Sequence, residues 1–152
     1  MKDWLTHLRF GLLLAFCATG FPCALASDEP SAKFAVVVNA ENPITKIDAE
    51  ELSNFFLKKK RAWPDGTGIR FVDRTDDSPE RKHFLRSVVK KTGREVDLFW
   101  IGQKLYTGDS APIQVTSDSL TASLIARFRG GIGYVSPDFT GAPGVKKIEV
   151  VP

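Results

Sequence analysis

The sequence is short of residues that crosslink or bind metal. It contains two cysteines, Cys17 and Cys23, and none after residue 23. A body lacking that first stretch can form no disulfide and must be held by packing alone, even in an oxidising compartment. Histidine is as scarce. His7 and His83 are the two present, and His83 lies among charged residues with no cysteine beside it. A transition-metal site therefore has no donor set to rest on, and no cofactor is expected. The same scarcity removes a catalytic triad, since Ser136 and Asp138 flank a turn without a histidine signal nearby. No acid, base or nucleophile constellation stands out, so an enzyme is not expected. Repeats and low-complexity segments are absent too. The formal charge of +3 is too small to name a partner. The one basic run, Lys58-Lys59-Lys60-Arg61, has no aromatic residue interleaved, which argues against nucleic acid. It reads as a solvated helix end, where cations are favoured. Gly130-Gly131-Ile132-Gly133 is not a phosphate loop, because no Lys-Ser/Thr follows and it leads into a strand.

What is there begins with an export signal. Lys2 and Arg9 precede an apolar centre at residues 11–16, extended by Cys17 and Ala18, and Ala24-Leu25-Ala26 has the small-x-small form of a cleavage site. The apolar run is too short to span a bilayer. Pro22 argues against a retained anchor, and Thr19-Gly20-Phe21-Pro22 is a poor approach to a lipid-modified Cys23. The expectation is a cleaved signal peptide over residues 1–26, a periplasmic location and no stable membrane insertion after cleavage. Residues 27–33 form a polar lead-in with Pro30, and residues 34–152 are sized for one domain with one core.

The order of elements predicts an α/β fold. Phe34-Ala35-Val36-Val37-Val38 reads as a strand covered on both faces. Asp48 is placed as a helix cap, with Glu51 completing a capping box and Ile47 and Leu52 forming a hydrophobic staple. Leu52, Phe55 and Phe56 give that helix one apolar face. Trp63-Pro64-Asp65-Gly66 is a turn. A strand follows at residues 69–73. A second helix starts at Ser78-Pro79, buries Phe84, Leu85, Val88 and Val89, and ends at Gly93. A third runs over residues 95–105 with Val96, Phe99 and Trp100 inward. A fourth is marked by Leu120, Leu124, Ile125 and Phe128. Strands at 132–135 and 145–151 complete a small mixed sheet of four or five strands flanked by four helices.

Several of these pieces, taken in order, resemble one family. Val37-Val38-Asn39, Asn42-Pro43, Glu51-Leu52 with Phe55-Phe56-Leu57, then Trp63, Asp65 and Gly66, then Arg74, Ser78 and Phe84, and finally Gly131-Ile132-Gly133-Tyr134-Val135 look like the substrate-binding proteins of phosphate ABC transporters. The likeness is greatest to their short single-lobe relatives, and it covers residues 34–151. It implies one lobe of a type 2 periplasmic-binding-protein fold. The Ser/Thr loop that grips phosphate from the other lobe has no match in these residues.

The resemblance also implies an anion site at Arg74, Asp76 and Ser78. The family's segment there is Arg-x-Asp-Gly-Ser-Gly-Thr at the start of a helix, where free N–H groups, an arginine and an aspartate holding that arginine suit phosphate or another oxyanion. Two positions depart from it. Pro79 has no N–H to give, and Glu80 brings negative charge to the site. Losing one charged hydrogen bond costs ~1.5–3 kcal/mol, so weak or lost binding is expected. Capping by Ser78, and neutralisation of Asp73, Asp76, Asp77 and Glu80 by Arg74 and Arg81 in exposed pairs, explain the same residues without a ligand. Two readings stay open. One is a solute-binding module with a transporter as partner. The other is an envelope structural or interaction protein that keeps the fold and contacts another envelope protein.

Overall fold

A computed structural model describes residues 34–152. The expected signal peptide and lead-in lie outside the described residues. The chain gives β1 (Ala35–Asn39), β2 (Lys46–Asp48), α1 (Ala49–Phe56), β3 (Arg70–Arg74), α2 (Pro79–Phe84), α3 (Gly93–Tyr106), β4 (Ile113–Val115), α4 (Asp118–Arg127), β5 (Gly131–Val135) and β6 (Val145–Val151). α2 runs directly into a π-helical turn, Leu85–Val89.

The sheet is mixed, in the order β2-β6-β1-β5-β3-β4. β1 pairs antiparallel with β5 and β6, while β3 lies parallel to both β5 and β4, and β2 parallel to β6. Six strands form where four or five were expected. The two additions, β2 and β4, are three-residue edge strands too short to show an alternating pattern.

Side chains leave successive strand positions on opposite faces, and this divides the core in two. Val36, Val38, Phe71, Ile132 and Tyr134 join Leu52, Phe56, Phe84 and Trp100 on the face covered by α1, α2 and α3. Val37, Val72 and Val135 meet Ile125 of α4 on the other. Trp63 closes the larger core, 4% exposed, edge-on to Phe55 and donating its Nε1–H to Gly130 O at 3.2 Å.

Several local expectations need correction. Asp48 caps α1 by accepting from the Glu51 N–H at 2.5 Å, but the Glu51 carboxylate turns to Lys60 instead of returning to the cap. The reciprocal capping box forms at Thr92 and Glu95. Gly93 therefore opens α3 and does not end the second helix, whose closing π-helical turn stops at Lys90 in the left-handed region (φ 59°). Leu120 and Phe128 are exposed, and Ile125 carries the inward face of α4. The basic run is not merely solvated. Arg61 pairs with Asp109 at 2.5 Å, and Lys58 donates to Ser110 O at 2.8 Å and lies over the Trp100 ring. Among the described residues no helix is long and apolar enough to cross a membrane.

Candidate functional site

β3 is buried along its length after Arg70, yet it ends in two charges, Asp73 and Arg74. A buried charge must be paired and hydrogen-bonded to be tolerated, and both are. Asp73 is 2% exposed. Its Oδ1 accepts from the Tyr134 hydroxyl and from the Arg74 N–H at 2.8 Å. Its Oδ2 accepts from Arg81 Nε at 2.9 Å and Gln114 Nε2 at 3.4 Å. Arg81 reaches on to Asp76 at 2.6 Å. The Asp73–Arg81 pair, read from sequence as exposed, is among the most buried polar contacts of the described residues, because Arg81 lies on the inner side of α2 against β3. Burial works against the Arg81 charge, but the two aspartates outweigh it and hold the guanidinium above its ordinary value. Burial, then the Asp73 charge and the bond to it, push the Tyr134 phenol far above its ordinary 10.

Arg74 points the other way. Its Nη1 pairs with Asp118 at the start of α4, its Nη2 donates to Thr116 O at 3.2 Å, and its Nε is buried with no hydrogen-bond partner. Asp118 also accepts from Ser136 Oγ at 2.5 Å and from the Ser136 N–H at 3.2 Å. Ser78 caps α2 by accepting from the Arg81 N–H at 3.2 Å. The Ser78 hydroxyl donates to Glu80 Oε2 at 2.5 Å, and that oxygen lies 3.9 Å from Arg74 Nη2.

The three residues expected at the site thus divide. Arg74 and Ser78 come together, with the Glu80 carboxylate between them. Asp76 does not hold Arg74. It pairs with Arg81 and leaves most of its side chain in solvent, and the aspartate on Arg74 is Asp118. Asp118 and Ser136 are not visible from local sequence, since Asp118 stands 44 positions from Arg74 and Ser136 another 18 beyond it. The buried Asp73 had a signal: a charge inside a β-favouring run marks a polar network. Among the described residues no group of three or more metal-ligating side chains is placed to hold an ion. A broader groove of about 550 Å³ lies near the opposite end of β3, under Lys58, Arg61 and Arg70. Lys58 and Arg61 already meet Asp109 there, so the polar cluster remains the better candidate.

The fold has known counterparts. An ABC-type phosphate transport receptor from Vibrio cholerae matches with a TM-score of 0.60 at 22% identity, over 78% of this chain and 46% of that one. A putative phosphate ABC transporter substrate-binding protein with bound phosphate from Clostridium perfringens matches with 0.58 at 20%, over 78% and 44%. PstS from Borrelia burgdorferi matches with 0.58 at 18%, over 78% and 47%. This chain spans a little under half the length of each, and at these identities the likeness is one of fold. No curated protein matches it. The sequence model of the PBP superfamily domain matches residues 31–147, nearly all of the described fold, and the chain belongs to that family.

Proposed function

We propose that this protein is an exported relative of oxyanion receptors in which the anion position is filled from within, leaving free phosphate weakly bound or unbound. The observation that carries this is Glu80. Its carboxylate accepts the Ser78 hydroxyl at 2.5 Å and lies 3.9 Å from Arg74, the two groups a bound oxyanion would use. A carboxylate held by its own chain competes at a high effective concentration. Arg74 is engaged a second time by Asp118, and Pro79 offers no N–H. Together these support an affinity for phosphate no tighter than about 1 mM, or ~4 kcal/mol. Export is part of the proposal and rests on residues 1–26. Protein recovered from the periplasm would begin at Ser27, and a retained first segment would remove that part of it. A transporter partner rests on what the solved relatives are named for.

Calorimetric titration with phosphate tests the reading. The unmodified protein is expected to give little heat, Pro79→Gly with Glu80→Thr to gain affinity, and Arg74→Ala in that background to lose the gain. Micromolar binding by the unmodified protein would sink the proposal. No gain in the double variant would leave Ser78 as a helix cap and favour the second reading, an interaction module. The apolar outer face of α3 already points toward contact with protein.

A further inference from the structure

The outer face of α3 is unlike a solvated helix surface. Leu98, Ile101 and Leu105 are 59%, 57% and 77% exposed, while Val96 and Trp100 bury the inner face of the same helix. At 3.6 residues per turn the three exposed side chains fall within about 60° of one another, so they form one stripe. Asp97 and Lys104 stand on one flank of it. Both are exposed, and neither makes an ion pair among the described residues. Lys104 donates only to Ser110 Oγ, at 3.2 Å.

The pattern is symmetric about Ile101. Leu98 lies one step further from one end than Asp97, and Leu105 one step further along than Lys104. Consider a twofold axis beside Ile101, perpendicular to the helix, that lays a second α3 antiparallel on the first. With a rise of about 1.5 Å per residue, Leu98 then comes within about 1.5 Å of the height of Leu105 in the other copy, and Asp97 as close to the height of Lys104. Such an axis keeps each flank on its own side. The leucines meet on one flank, the opposite charges meet on the other, and Ile101 meets its own copy between them. A parallel pair, related by a twofold along the helices, would exchange the flanks and set Asp97 and Lys104 of each copy against the leucines of the other. We propose that this face is a homodimer contact, with the α3 helices antiparallel and Asp97 of each copy paired to Lys104 of the other. The occupant is a second copy because the charge order on the helix is complementary to its own reversal, as an isologous contact requires. This inference does not depend on the anion site.

Sedimentation equilibrium of the purified protein over a concentration series reads the association directly. A reversible dimer is expected. Ile101→Asp should weaken it roughly a hundredfold, because two carboxylates would then be buried against each other, while the circular dichroism stays unchanged. Asp97→Lys alone and Lys104→Asp alone should each weaken the dimer, and the two together should restore it. Ile101→Cys should crosslink as a disulfide dimer on mild oxidation, with the unmodified protein taken through the same treatment as control. The charge reversal and the crosslink decide the matter even if Ile101→Asp fails to fold. A monomer at every concentration, a dimer that survives Ile101→Asp, or a double reversal no tighter than either single change would overturn the proposal.

Discussion

Gly130 and Gly102 are both glycines with no side chain to pack, and a methyl group added to each meets opposite surroundings. At Gly130 a Cβ would fall 1.9 Å from Gly68 O and 3.2 Å from the Thr67 side chain. The obstruction is backbone and cannot rotate away. The Gly130 carbonyl also accepts from the Trp63 ring and from the Arg70 N–H, so any shift pulls on the larger core. Gly130→Ala should cost ~1–3 kcal/mol as overpacking. Gly102 sits inside α3 with nothing within 4 Å of a built Cβ, and helical glycine costs roughly 0.5–1 kcal/mol relative to alanine. Gly102→Ala should raise stability by about that amount. Urea melts of the two variants check the pair, and the same sign for both would contradict the packing described. At this scale the candidate site was half legible. Arg74 and Ser78 could be named because a short segment carries both. Asp118 and Tyr134 could not, because the fold brings Asp118 to Arg74 from 44 positions away and Tyr134 to Asp73 from 61. Glu80, read from sequence as negative charge brought to the site, accepts the Ser78 hydroxyl within the cluster.

Helices with strong local signals were legible and elements with weak ones were not. α1, α2 and α4 start at Asp48, Ser78 and Ser117, each side chain accepting from a backbone N–H three residues on. The interior strand β1 was clear from a continuous apolar run, and β3 and β5 from shorter β-favouring ones. The edge strands were not, because β2 and β4 each bury one residue of three and owe their form to a neighbour's free edge. The end of α2 was misplaced for a similar reason. Glycine is the usual residue to end a helix in the left-handed region, and Gly93 was at hand, but Lys90 takes that conformation (φ 59°) after a π-helical turn. A residue with a Cβ pays ~1–2 kcal/mol there. Lys90 is exposed and the π turn holds its N–H to Leu85 O, so Lys90→Gly keeps the bond and removes the steric cost. The unfolded chain gains freedom in exchange, and the net expected gain is ~1 kcal/mol. A thermal melt showing loss of stability would mean that the lysine side chain carries a contact of its own.

Across the whole molecule, the Asp73–Tyr134–Arg81 cluster joins β3, β5 and α2 at one point, and it makes stability depend on pH at the alkaline end. Tyr134 is wholly buried, stacked on Phe84 with ring centroids 4.4 Å apart, and its hydroxyl donates to Asp73. Burial and that carboxylate raise its pKa in the folded state. A phenolate there would be an unhydrated anion set against another. The sign follows from linkage. The unfolded chain releases this proton near 10, while the folded chain keeps it. The cluster's contribution is therefore complete below pH 10 and shrinks as the pH climbs past it, by ~1.4 kcal/mol per pH unit. The chain contains two tyrosines, and Tyr106 is 90% exposed, so Tyr106→Phe leaves Tyr134 as the only phenol at little structural cost. In that variant, phenolate absorbance should appear on alkaline titration only together with loss of near-ultraviolet circular dichroism. Tyr134→Phe removes the slope. It leaves Asp73 Oδ1 with the Arg74 N–H alone, which should cost ~1–3 kcal/mol at neutral pH, so the two proteins should approach one another in stability as the pH rises. A phenolate that forms while the fold is intact would show that the hydroxyl reaches water, and the account of a sealed cluster would fail.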